Sequence, residues 1–257
     1  MSFFEIQMRG KRTKRFFCVT ILYTLISLGC SNEGPSNNPG KAPLTIEEAK
    51  QLKYRITLEN VYFDIPVLYN YTVYSISGGW PRPSQGEIDG TSRRKVDSFM
   101  VEVLLPDMAV YDKSNATEFD VLGHGNRLRI KVNKLREDWP HYFNNAFKRL
   151  IPLDKSALVP NMLRFRDSRS TNSDVYFSSI DPKKAITMMS CYDPENSVSH
   201  KDMTSQNCSV VTVYQDKIEV TYTFSLDYLP RWKETDEKTR ALLDSFIDSA
   251  STPPGKL

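Results

Sequence analysis

The sequence predicts an α+β fold, antiparallel β-sheet with helices packed on one face. Three observations carry that expectation. Segments rich in Val, Ile, Tyr and Thr alternate apolar and polar residues, as half-buried strands do. Two longer stretches switch to helical spacing. Each of these follows a group of strands, so the chain reads as two strand–strand–helix halves, 44–151 and 174–250, within a globular region 44–257.

The elements follow in order. Thr45-Ile46-Glu47-Glu48 has the capping-box pattern and opens a short helix to about Leu52. Tyr54–Phe63 and, after Pro66, Val67–Ile76 read as strands. Ser77–Arg94 reads as a long loop, broken by Gly78, Gly79, Pro81, Pro83, Gly86 and Gly90. Loops of that length are functional or disordered. Trp and Arg are common interface anchors, which makes Trp80, Arg82, Arg93 and Arg94 candidates for partner binding. The competing reading tucks Trp80 into the edge of the core.

Val96–Leu105 is a strand with Phe99, Val101, Val103 and Leu105 on one face, ended by Pro106-Asp107. Arg127–Val132 alternates strictly and places Arg127, Arg129 and Lys131 on its outer face. Such a face suits an acidic partner or anionic lipid, or is solvated edge charge. Pro140–Leu150 has helical spacing through Phe143, Ala146, Phe147 and Leu150, and Ile151–Ser173 is irregular. Val175–Ser179 and Ala185–Tyr192 are strands. Ser209–Tyr214 and Lys217–Leu226 form a hairpin around Gln215-Asp216, with Ile218, Val220, Tyr222 and Phe224 inward. Tyr228–Trp232 turns into a final helix to about Ser249, whose buried stripe is Leu242, Leu243, Phe246 and Ile247. The pattern leaves open whether the halves share one sheet.

Ahead of the globular region, Arg9, Lys11, Arg12, Lys14 and Arg15 precede the apolar run Phe16–Leu28 and Gly29-Cys30. The run is shorter than the ~20 residues a membrane helix needs. It reads as a secretory signal, residues 1–29. Its closing cysteine makes it resemble a bacterial lipoprotein signal, which implies cleavage before Cys30 and lipidation there. Ser27 and Leu28 depart from the usual residues before such a cysteine. Ser31 in place of Asp favours the outer membrane by the same analogy. Residues 30–43, ending SNEGPSNNPGKAP, form a polar tether that cannot bury apolar surface. The expected location is the periplasmic side of a bacterial envelope, with the membrane as partner through the lipid.

The net charge of +3 comes from the signal, where five cations oppose Glu5; the rest is near −1. Nucleic acid is therefore not an expected partner. Cys18 lies in the signal and Cys30 is the lipid candidate, which leaves Cys191 and Cys208 as an even pair in an oxidising compartment. A disulfide is the favoured reading, with buried thiols or metal ligands as alternatives.

Catalytic groupings are missing from the pattern. His124, His141 and His200 have no zinc spacing, and no GxSxG, HExxH, Walker or dinucleotide motif occurs. Ser92–Lys95 spells SxxK without its companion motifs, and Gly123-His124-Gly125 reads as a turn. Asp97, Glu102, Asp107, Glu118 and Asp120 could supply an acid–base pair, although solvated carboxylates beside a strand are commoner. No catalytic residue, metal site or cofactor is expected.

Three stretches carry a family resemblance. One is Leu104-Leu105-Pro106-Asp107-Met108 with Asn115 and Glu118-Phe119, and another is the Cys191…Cys208 pair leading into a hairpin. The third is Tyr228-Leu229-Pro230-Arg231-Trp232 with Ser245-Phe246-Ile247. In that order behind a lipoprotein signal, the chain resembles periplasmic immunity proteins of type VI secretion systems, particularly those paired with lipase-type effectors. The resemblance implies a protein without catalysis whose partner is a cognate secreted effector. An envelope lipoprotein of structural or assembly role is the alternative, and a hydrolase a further one.

Overall fold

In the computed structural model the described residues are 43–72, 80–121, 125–154 (backbone alone at 140–143), 159, 161–168, 173–179, 186–192 and 206–247. All belong to the compact unit Pro39–Leu257. The expected signal, Cys30 and the expected tether up to residue 42 lie outside the described residues, as do His124, His200 and the tail.

Helix α1 (Ile46–Gln51) starts as its capping box predicts: the Thr45 hydroxyl accepts from Glu48 N, and Glu48 Oε2 accepts from Thr45 N at 2.9 Å. The expected strand Tyr54–Phe63 is instead a hairpin, β1 (Lys53–Leu58) and β2 (Val61–Pro66). Burial alternates as Tyr54, Ile56, Leu58 and then Val61, Phe63, Ile65. The three-residue step from Leu58 to Val61 breaks the period of two, and Glu59 turns the chain there with φ 54°. The expected strand Val67–Ile76 begins as a 3-10 turn over Val67–Tyr69. The predicted loop contains α2 (Gln85–Asp89), opened by a second capping box from Ser84 and Glu87. Gly90 closes it at φ 75°, where a Cβ would lie 1.7 Å from the Arg55 guanidinium. Strand β3 (Arg94–Lys95) then pairs parallel to β1, completing a sheet in the order β2-β1-β3.

The second sheet joins the two expected halves. Strands β4 (Ser98–Leu104), β5 (Arg127–Lys134), β6 (Leu150–Pro152), β7 (Leu163–Asp167), β8 (Ser173–Phe177), β9 (Thr187–Tyr192), β10 (Asn207–Tyr214) and β11 (Ile218–Ser225) pair antiparallel in the order β4-β5-β11-β10-β9-β8-β7-β6. The β10–β11 hairpin turns at Gln215 and Asp216, both with positive φ. The stretch expected to be irregular supplies β6 and β7. Because β6 lies at the edge, Pro152 is tolerated there. Leu153 N donates to Arg164 O and Ser168 N to Arg149 O, so Pro152's missing N–H falls on the outer side.

Short helix α3 (Ala116–Phe119) follows β4, α4 (Trp139–Phe147) follows β5, and α5 (Trp232–Phe246) ends the described chain. The α+β class and antiparallel sheets are as predicted, but the two longer helices take opposite faces of the large sheet. On one face, α4 sets Phe147 against Phe165 and Phe177, with Trp139, Val175 and Val211 beside them. On the other, α5 lies over Val220 and Tyr222, and Leu243 and Phe246 join the main core. Register explains the difference. Phe165, Val175, Phe177, Met188 and Val211 form one parity set, whereas Met189, Val210, Val220 and Tyr222 form the other. Both faces are apolar at the centre, so each needs a cover.

Candidate interaction face

Most of the residues that carry the resemblance meet at one end of the large sheet, whereas Ser245-Phe246-Ile247 lie at the far end of α5, where Tyr214 Oη donates to Asp244 and Ile247 bridges Phe63. Leu104, Arg127, Ser225, Asn207 and Tyr192 are terminal residues of neighbouring strands there. The Cys191–Cys208 disulfide joins β9 and β10 at this end. From Ser225 the chain enters a 3-10 segment, Leu226–Arg231, with Leu226 N donating to Gln206 O.

The turn after β4 and the 3-10 segment are then bonded together. Leu104 and Ala109 exchange backbone hydrogen bonds around a turn that holds a cis Leu105–Pro106 bond and Met108 at φ 57°. Leu105 N donates to Asn126 O. The Asn126 side chain accepts from Tyr228 Oη at 2.9 Å and donates to Glu118 Oε2 at 3.0 Å. Lys238 Nζ donates to Pro106 O at 2.8 Å, fastening α5 to the same turn. Between them lies a shallow cleft, lined by Leu105, Pro106, Tyr228, Arg231, Glu234, Thr235 and Lys238.

The charges of this cleft form a closed set. Arg231 grips Glu234 through two bonds of 2.9 Å, and Lys238 meets the same carboxylate at 2.8 Å. The hydrogen bonds from Arg231 and then Lys238 hold the Glu234 carboxyl down at about 2, while Glu234 raises Arg231 further. Partial burial, resisted by the Arg231 charge, pushes the Tyr228 phenol up. The cleft thus presents a lysine, a fixed ion pair and a neutral phenol. These groups recognise by hydrogen bonding and charge.

The sequence-predicted partner residues lie elsewhere, around the small sheet. Trp80 is 0% exposed, stacked edge-on against Tyr111, with its indole N–H donated to Asn70 O at 3.0 Å. This overturns its assignment to a partner-facing loop. A buried indole with its N–H satisfied contributes large apolar area at no polar cost. Arg82 donates to Glu48 at 2.7 Å. Arg93 donates to Asp64 at 2.7 Å and lies over the Tyr62 ring. Arg94 is exposed, lying over Tyr54 and 3.7 Å from Glu87. The structure therefore does not gather these four into one exposed anchor.

The carboxylates considered for acid–base work are engaged in holding the fold. Glu102 is buried and accepts from Thr72 N, Thr72 Oγ1 and Arg129 Nε. Asp120 accepts from Tyr71 and Glu118 from Asn126. Asp107 contributes through its charge, which adds slightly to the upward shifts of Tyr228 and Arg231. Of His141 only the backbone is described, in α4. Among the described residues no group of three or more His, Cys, Asp or Glu could hold a metal ion.

Sequence reasoning missed the arginine–carboxylate pairs that cross the sheet. Arg136 grips Glu219 through bonds of 2.6 and 2.8 Å, and buried Asp174 is held between Arg164 and Arg166. A lone acid inside an apolar alternation, such as Glu219 between Ile218 and Val220, was the available signal.

No protein-family model matches the chain, and no curated protein matches it by sequence. Two solved structures have similar folds. One is an immunity protein of the Stenotrophomonas maltophilia type IV secretion system, at 12% identity and TM-score 0.52, covering 77% of this chain and 94% of that one. The other is the iron-regulated outer membrane lipoprotein FrpD of Neisseria meningitidis, at 12% identity and TM-score 0.45, covering 80% and 96%. At such identities the likeness concerns the fold.

Proposed function

We propose that this chain is a non-catalytic immunity protein that binds a toxin delivered by a secretion system and blocks it. The observation that carries this reading is the shared fold with the Stenotrophomonas immunity protein, which spans nearly that whole chain. The resemblance read from the sequence supports the same role independently. Inhibition requires a complementary surface over the toxin's active site and no reacting group in the inhibitor. A tight blocking interface buries ~1,600 Å² in total, within reach of a domain this size.

The finer reading follows the sequence resemblance: the toxin is a phospholipase or lipase-type effector of a type VI system. The structural neighbour serves a type IV system, so the role is common to both lines of support and the delivery route is not. We place the domain on the periplasmic side of the envelope, anchored through Cys30 to the outer membrane. There the anchor raises the local concentration of inhibitor where the toxin acts.

The test takes the gene next to this one, which the proposal expects to encode a secreted toxin, and expresses its product in the periplasm of cells with and without this chain. Survival only when the full chain is present is the expected outcome. Equal killing in both strains sinks the proposal. Palmitate labelling that vanishes in Cys30→Ala tests the anchor separately.

A further inference from the structure

We infer that the open half of the large sheet, centred on Lys131, is the surface that receives an acidic segment of the toxin; this rests on the immunity reading. Among the described residues, the apolar packing under helix α4 takes in side chains of β6 to β10 and Leu135, just past β5. Over β4, β5 and β11 the outward side chains are polar apart from Met100, half-buried opposite Lys131, and the buried Leu104. The polar ones include Glu102, Arg129, Lys131, Glu219, Thr221 and Thr223, which register places side by side. The charges here are layered by depth. The Glu102 side chain is 1% exposed beneath Arg129 at 40%, and Glu219 is 5% exposed beneath Arg136 at 37%. Lys131 stands exposed in the row with Arg129 and Arg136 and joins no ion pair among the described residues. Solvent therefore meets cations while the anions lie underneath.

That layering has two consequences. The buried carboxylates fix the guanidinium planes, so less side-chain entropy is lost when a partner docks. The uncompensated Lys131 leaves the strip positive although the exported region as a whole is near −1. The occupant we assign is protein rather than membrane. A surface that lies on lipid inserts apolar side chains beside its cations. Here Met100, the neighbour of Lys131 on β4, is half-buried, no large apolar side chain of β4, β5 or β11 stands exposed, and the neighbours on β11 are Thr221 and Thr223, hydroxyls suited to hydrogen bonds with an extended acidic segment.

The experiment measures association of the full chain with the purified toxin neutralised in the survival assay. Lys131→Glu, which breaks no internal pair, is expected to slow association about tenfold at about 50 mM salt, an effect that shrinks as screening rises. The control is Lys233→Glu, on α5 across the sheet, which leaves the rate unchanged. A Lys131→Glu variant that binds the toxin at the wild-type rate overturns this inference and leaves the immunity role standing. Absence of binding by the wild type overturns both. Should Lys131→Glu instead abolish binding to phosphatidylglycerol vesicles while toxin association is untouched, the face belongs to the membrane and the inference fails.

Discussion

Breaking the Cys191–Cys208 bond should destabilise the domain through its unfolded state. The two cysteines face each other across β9 and β10 with Cα atoms 4.1 Å apart, in a ladder continued by Ser190↔Ser209 and Met189↔Val210. That ladder does not depend on the sulfur bridge, so reduction leaves the native pairing in place. What changes is the freedom of the unfolded chain. For a sequence separation of 17, the loop-entropy relation gives about 3 kcal/mol at 25 °C. In a domain of this size that corresponds to a fall in Tm of ~6–12 °C. The assay compares urea and thermal unfolding of the oxidised protein, the reduced protein and the Cys191→Ala/Cys208→Ala variant. Reduced and double-alanine proteins should lose the same entropic share. The variant should lose about 1 kcal/mol more, because both sulfurs are buried in the main core. A reduced protein within about 1 kcal/mol of the oxidised one would refute the reasoning, since the loop would then be restrained without the bond.

Two further outcomes follow from the polar contacts. Tyr222 Oη donates to Asp236 at 2.8 Å, and Asp236 also accepts from Arg240, which reaches Thr212 on β10. Tyr222→Phe should cost about 1.5–3 kcal/mol, as hydrogen bonds to charged groups do, and a double-mutant cycle with Asp236→Ala should show the two losses to be strongly non-additive. Hydrogen bonds from Arg82 and Thr45 lower the Glu48 carboxyl, and those from Arg231 and Lys238 lower Glu234, from 4.5 to about 2 in both cases. Groups depressed on folding stabilise above their unfolded value, and that contribution fades as pH falls from about 4.5 towards 2. Carboxyl-resolved NMR titration should find both midpoints near 2, with Arg82→Ala returning Glu48 towards 4.5; midpoints already near 4.5 in the wild type would show both pairs to be open in solution.

The parts of this fold that were legible in sequence are those specified locally. The Thr45 capping box, the alternation of Val96–Leu105 and Arg127–Val132, the Gln215-Asp216 hairpin and the final helix all appear where their own residues place them. The losses came where local pattern was ambiguous. The phase slip between Leu58 and Val61 was the signal for a turn, and Ser84 with Glu87 was a second capping box inside an apparent loop. On α5 the buried stripe includes Thr235 and Thr239, whose hydroxyls bond carbonyls one turn back. A polar residue that satisfies itself within the helix carries no apolar mark. The candidate site was less legible than the fold: its stretches were visible one by one, and their meeting was not.

By itself, the sequence determined the fold class, the strand and helix periods, the favoured reading of a cysteine pair, and the concentration of positive charge in residues 9–15. These follow from side-chain volume, polarity and spacing, which act over a few residues. Only the tertiary structure decided that β5 pairs with β11 to make one sheet from two halves, and that the helices take opposite faces. It buried Trp80, set Glu102 under Arg129 and Glu219 under Arg136, and brought Pro106 to Lys238 across the fold. Those outcomes depend on register between distant segments. A shift of one residue exchanges the two faces of a strand, and nothing within the strand records which neighbour it will meet.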